Sequence, residues 1–141
     1  MASDRKLEHL ANVRMFSSLN RKELTLVARA ADIAAVKDGY EIVTEGKTGH
    51  EFFLILEGQA VVKRGGRKVA TLGPGNYFGE LALLDRGPRS ATIIADGDMK
   101  IAVLGQREFM AVLDQVPALA HKLLVAMATR LREADTKAVS H

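Results

Sequence analysis

The hydrophobic pattern of the chain changes twice, and the two changes divide it into three parts. Up to residue 31 the apolar positions are spaced as on helices. Ser3 and Asp4 can cap a short helix running to about Asn12. Asn20 and Glu23 have the spacing of a capping box, in which each side chain accepts from the other's backbone N–H, and Leu24, Leu26, Val27 and Ala30 follow. A second helix is predicted there. Between the two, Val13, Met15, Phe16 and Leu19 supply apolar contacts from a loop or short helix. From Asp32 the pattern shortens to β-rich runs at 33–36, 41–44, 52–56, 60–63, 68–72, 91–95 and 100–104, separated by glycines. Short strands at such regular spacing predict a sandwich or barrel. Gly65-Gly66, between Val61-Val62-Lys63 and Lys68-Val69-Ala70, marks a tight hairpin, because such turns need positive φ. Residues 107–114 then read as a short amphipathic helix, and Pro117 suits the first turn of a longer one ending near Asp135.

The expected architecture is therefore α+β. It has N-terminal helices in 1–31, an antiparallel, jelly-roll-like β-roll over 32–105, and two C-terminal helices in 106–137, together one domain of residues 1–141. The roll is expected to hold about seven or eight strands.

Composition removes several function classes. A chain of 141 residues has room for one core, and 48% hydrophobic with 26% charged residues is ordinary for a globular domain. With no cysteine, disulfides and thiolate metal sites are excluded. The apolar runs, such as 52–56, are too short to cross a bilayer, and the charged residues 1–10 lack the apolar block of a signal peptide. A cytoplasmic protein without a membrane segment is expected. The net charge of +3 is too small to argue for nucleic acid, which would call for a concentrated basic face. His9, His50, His121 and His141 are scattered, with no pair at metal-ligand spacing. No glycine-flanked serine nucleophile and no phosphate-binding P-loop occur. Neither catalysis, nor a metal, nor a cofactor is expected.

The chemistry is concentrated in residues 78–92, Phe78-Gly79-Glu80-Leu81-Ala82-Leu83-Leu84-Asp85-Arg86-Gly87-Pro88-Arg89-Ser90-Ala91-Thr92, which follow a Gly73-Pro74-Gly75 turn. Leu81, Ala82, Leu83 and Leu84 favour a short helix, and Gly79 lets the backbone come close to a ligand at its start. A helix N-terminus offers unpaired N–H groups and partial positive charge to an anion. Arg89 stands past a Gly-Pro bend that can fold it back over that helix start, and its guanidinium fork suits phosphate oxygens. Glu80 adds negative charge, which is awkward beside a bare phosphate. It makes sense if its carboxylate accepts from a hydroxyl near the phosphate, as on a ribose. The alternative is a structural ion pair between Glu80 and Arg89 in a surface loop.

This segment resembles the phosphate-binding cassette of the cyclic nucleotide-binding domain family, to which the catabolite activator protein, the regulatory subunits of cAMP-dependent kinase and cyclic-nucleotide-gated channels belong. The family's cassette runs Phe-Gly-Glu-x-Ala-Leu, a variable bend, then Pro-Arg-Ser/Thr/Ala-Ala-Thr, and every part is present. The likeness extends to Leu19, Glu23 and Leu24, to Gly39, Gly46 and Gly58, and to the closing helices. It implies that Glu80 accepts from the ribose 2′-hydroxyl and that Arg89 pairs with the cyclic phosphate. It places the backbone of Gly79, Leu81 and Ala82, the backbone or hydroxyl of Ser90, and Ala91 around ribose and phosphate. Val69 resembles a barrel residue lying against the base. Arg130 resembles an arginine that the family can place near the base or the cassette glutamate, the alternative being a solvated helix arginine. Near the family's adenine-contacting positions this chain has Ala134 and Asp135 in place of a Thr-Ser pair. Asp135 either accepts from a purine N–H or is an exposed charge at a helix end.

The resemblance implies a non-catalytic sensor of cAMP or cGMP, with cAMP preferred, that relays binding through its C-terminal helices to a protein effector or a fused effector domain. Leu81, Leu83, Leu84 and Phe109 are candidates for coupling those motions. Ala120, Leu124, Met127, Leu131 and Ala134 recur at steps of 4, 3, 4 and 3, a seam that could face the roll or the same helix of a homodimer partner. No DNA-binding element is expected in this chain. A different class of function, a ligand-independent interaction module with a degenerate nucleotide site, is left open by Asp135 and the missing Thr-Ser pair.

Overall fold

Six strands among the described residues form one antiparallel sheet, and four α-helices pack on one side of it. The structure, a computed structural model, describes residues 2–79 and 87–139, with side chains described over 6–79 and 87–134. Helix α1 (Ala2–Ala11), a 3-10 turn (Arg14–Phe16) and α2 (Arg21–Ala30) come first. Strands β1 (Asp32–Val36), β2 (Glu41–Val43), β3 (Glu51–Arg64), β4 (Arg67–Leu72), β5 (Tyr77–Phe78) and β6 (Thr92–Gly105) follow. Helices α3 (Gln106–Gln115) and α4 (Pro117–Val139) close the chain. The capping box is formed. Asn20 Oδ1 accepts from the Glu23 N–H at 2.8 Å, and Glu23 Oε1 accepts from the Asn20 N–H at 3.0 Å. Two backbone donors that the first turn of α2 cannot satisfy internally are thereby paired.

The strand count differs from the sequence expectation for a physical reason. Runs 52–56 and 60–63 are one strand, β3, and runs 91–95 and 100–104 are one strand, β6. These two pair from Glu51↔Gly105 to Lys63↔Thr92, across register shifts between Ile55 and Glu57 and between Glu57 and Gln59. The glycines that looked like strand ends are bends inside strands. At Gly58, φ is +85°, and a Cβ would stand 2.6 Å from both the Asp98 carbonyl oxygen and the Met99 Cβ. Only glycine lets the two strands bend together there. Strand β5 spans two residues, too few for an alternation pattern to reveal.

The sheet order is β1-β6-β3-β4, with β2 added on β6 and β5 on β3. The bend folds it over itself. Phe53 and Ile55 before the bend share one core with Ala60 and Val62 after it, and with Ile93, Ala95, Met99 and Ile101 of β6. The inward set of β3 passes from odd to even positions, as a one-residue slip requires. On the other face of the sheet Phe52, Leu54, Ala102 and Leu104 join Leu10, Val27, Phe109, Leu119 and Leu123 from the helices, and Val116 between α3 and α4, in a second core. The Phe109 ring stacks on Phe52 at 4.5 Å between centroids. Helix α4 is held at its start by Leu119 and Leu123 and by Lys122 Nζ, which donates to the Met15 carbonyl at 3.2 Å. The apolar seam expected on α4 is split. Met127 packs against the second core, whereas Leu124 and Leu131 are 65% and 63% exposed. From 128 to 134 every residue is exposed.

Gly97 also has positive φ, +88°, but a Cβ there meets nothing within 4 Å. Gly58→Ala is therefore expected to cost more stability than Gly97→Ala, whose penalty is backbone strain of about 1–3 kcal/mol. Urea unfolding of both variants checks this, and equal losses would contradict the close-approach account of the bend.

Candidate functional site

The bent sheet leaves a cavity of about 360 Å³ at the end of the roll that carries β4 and residues 87–91. Its apolar wall comes from Val43, Val62, Leu72, Phe78 and Ile93, positions set inward by the strand alternation. Three arginines, Arg64, Arg89 and Arg130, also line it. A volume of this size with an apolar wall and a few polar groups is the usual form of a small-molecule site.

Arg89 is the one charged side chain buried among the described residues, with 6% exposure. Its backbone is fixed by a reciprocal pair: the Arg89 N–H donates to the Lys47 carbonyl, and the Gly46 N–H to the Arg89 carbonyl, both at 2.8 Å. Its Nη1 donates to the Gly79 carbonyl at 3.2 Å and its Nη2 to the Glu51 carbonyl at 3.0 Å. The Phe53 ring lies beneath, 5.7 Å from Cζ to centroid. Taking a cation out of water is costly unless it is compensated. Carbonyl dipoles orient this guanidinium and set a cationic group in the cavity wall. An anion is its natural complement.

Gly79 stands where a side chain has no room. Its φ is +95°, and a Cβ would lie 2.6 Å from the Glu51 carbonyl oxygen and 2.7 Å from Arg89 Nη1. Its close partners in this structure are the Glu51 carbonyl and the arginine. Ser90 is exposed at the cavity edge, and its carbonyl accepts from Arg64 Nε at 3.2 Å. Ala91, 7% exposed, and Val69, 51% exposed, complete the wall. Arg130 reaches the cavity from α4 and stands over the Tyr77 ring, 5.5 Å from Cζ to centroid.

Gly79, Arg89, Ser90, Ala91, Val69 and Arg130 are thus brought around one cavity. Glu80, Leu81 and Ala82 lie outside the described residues, as do Leu83, Leu84 and the Asp135 side chain. Sequence reasoning missed Arg64 and Tyr77. Arg64 continues the inward parity of Ala60 and Val62, a signal that becomes readable once the bend at Gly58 is known. Tyr77 sits in the two-residue strand that the pattern did not show. Among the described residues no three His, Asp or Glu side chains gather as a metal site, and no single helix is long and apolar enough to cross a membrane.

Comparison with known proteins gives the site a context. The cAMP-dependent protein kinase regulatory subunit of Hypocrea atroviridis is 37% identical over 110 residues, 78% of this chain and 24% of that protein. The crystal structure of the Thermus thermophilus Catabolite Activator Protein superposes with a TM-score of 0.80 at 34% identity, covering 87% of this chain and 60% of that one. The regulatory domain of Toxoplasma gondii PKA, in co-crystal with cAMP, superposes with a TM-score of 0.77 at 30% identity, covering 91% of this chain and 50% of that one. The chain spans less than two thirds of the length of each of these relatives. Residues 34–116, more than half of the chain, match the family model for the cyclic nucleotide-binding domain. With that match, and with the cavity and its buried arginine in place, the chain belongs to the cyclic nucleotide-binding domain family.

Proposed function

We propose that this protein binds a 3′,5′-cyclic nucleotide, cAMP in preference to cGMP, as a non-catalytic cytoplasmic sensor made of residues 1–141. The observation that carries the reading is the burial of Arg89 at the wall of an otherwise largely apolar cavity. A buried guanidinium, oriented by two carbonyls, suits a ligand with one phosphodiester charge and a flat apolar base. The naming of cAMP in the relatives supports adenine as that base.

In this reading Arg89 pairs with the cyclic phosphate, while Glu80 accepts from the ribose hydroxyl. Gly79, Leu81, Ala82, Ser90 and Ala91 line ribose and phosphate. Val69 and Arg130 meet the base, with Asp135 near the same helix end. A pure binder signals through its unequal affinity for two conformations. The contacts that can carry this are Arg130 on Tyr77 and Phe109 on Phe52, which join the cavity wall and the sheet to α4 and α3. The recipient is a protein effector or a fused effector domain, and the exposed Leu124 and Leu131 suit a homodimer along α4.

Calorimetric titration should show micromolar or tighter binding of cAMP and weaker binding of cGMP. Truncating one member of a buried charge pair costs about 2–5 kcal/mol. Arg89→Ala should thus weaken cAMP binding by roughly 30- to several-thousand-fold. Unaltered affinity would remove Arg89 from the site.

A cation over an aromatic face contributes about 0.5–2 kcal/mol. Arg130→Ala is therefore expected to lower cAMP affinity about 2- to 30-fold while costing the unliganded protein no more than about 1 kcal/mol of stability. A loss of stability without a loss of affinity would make Arg130 structural.

Saturating cAMP should raise the melting temperature, since a ligand specific for the native state must stabilise it. An unmoved transition would favour the ligand-independent interaction module.

A further inference from the structure

Gly49 lies in the loop between β2 and β3, outside the cassette, and its backbone does not explain it. It is absent from the glycines with positive φ, so other residues could adopt its conformation. What the position lacks is room. The three atoms nearest to a Cβ at 49 all belong to one group, Nη2, Nε and Cζ of Arg89, with Cζ at 2.6 Å. On the other side of the same guanidinium a Cβ at Gly79 would stand 2.7 Å from Nη1. The charged end of Arg89 thus occupies a slot between two bare Cα atoms.

The loop that supplies one wall of this slot is itself tied down. The Glu45 N–H donates to Thr92 Oγ1 at 2.9 Å, and Glu45 Oε1 accepts from the Gly65 N–H at 3.0 Å. Gly46 and Lys47 make the reciprocal backbone pair with Arg89, and the Glu51 carbonyl takes its Nη2. A loop held at this many points cannot retreat from a side chain at 49, so the guanidinium must move instead. That movement separates Nη2 from the Glu51 carbonyl.

We infer that Gly49 is a positioning residue for anion recognition: by leaving the slot open it sets where the Arg89 guanidinium stands relative to the cavity. This rests on the cyclic nucleotide reading above. Gly49→Ala should weaken cAMP binding about 10- to 150-fold, the range for a hydrogen bond to a charged group. A double-mutant cycle separates positioning from general damage. In the Arg89→Ala background the same Gly49→Ala change should alter affinity by less than about twofold. A second readout needs no ligand. The Arg89 Nε–H resonance should be protected from solvent exchange in the wild type and shifted or lost in Gly49→Ala.

Wild-type affinity in Gly49→Ala, or a further loss in the Arg89→Ala background, would overturn the inference. If the wild type binds neither cAMP nor cGMP, the functional reading fails by itself. The Nε–H resonance then decides the role of Gly49, and an unchanged signal would overturn it. If Gly49→Ala folds poorly, adding Arg89→Lys, whose slimmer head clears the new methyl, should restore folding. Failure to restore it would count against the slot.

Discussion

The structure depends on keeping one guanidinium dry. Arg89 is held at 6% exposure, and the parts of the fold that hold it come from far apart in the chain. The Glu51 carbonyl lies at the start of β3, the Gly79 carbonyl just past β5, and the backbone pair in the loop after β2. An isolated charge in such a place would be unfavourable by several kcal/mol. The hydrogen bonds offset part of this. A guanidinium held in the cavity wall in this way offers paired donors to an anion.

The long strands make this gathering possible. Because β3 and β6 pair along their whole length and bend together at Gly58, residues from both halves close on one interior. The parity switch in β3 sends Phe53 and Val62 to the same side. Phe53 then supports the Arg89 guanidinium from below, while Val62 lines the cavity wall. Two short unbent strands in each place would have left the arginine and the apolar wall on separate sheets. The bend is as much a part of the site as the cassette is.

Local features were legible in the sequence, and features created by non-local contact were not. The capping box at Asn20 and Glu23 and the hairpin at Gly65-Gly66, with φ of 57° and 80°, depend on residues within a few positions of each other. The same is true of the cassette motif, so Arg89 could be singled out. The fusion of 52–56 with 60–63 could not be read, because a glycine that ends a strand and a glycine that bends one look alike until the partner strand is known. Arg64 follows from that bend and was hidden with it. The Arg130–Tyr77 contact joins residues 53 positions apart through a strand too short to carry a pattern. Gly49 reads as an ordinary loop glycine until the guanidinium that fills its place is seen.

The two contacts between the helices and the sheet differ in what they can report. Phe109 is 4% exposed and stacked on Phe52 inside the second core, so separating the pair would open a cavity, costing about 3–5 kcal/mol if an aromatic is lost outright. Arg130 is exposed, and its stack on Tyr77 contributes only about 0.5–1 kcal/mol in water. In the proposed reading a ligand in the cavity meets the Arg130 end of α4, which beyond Met127 has no buried side chain among those described. Helix α3, by contrast, is anchored by the buried Phe109 and Val112. In that reading a relay driven by differential affinity would begin at Arg130, with the core around Phe109 as the frame against which the helix end moves.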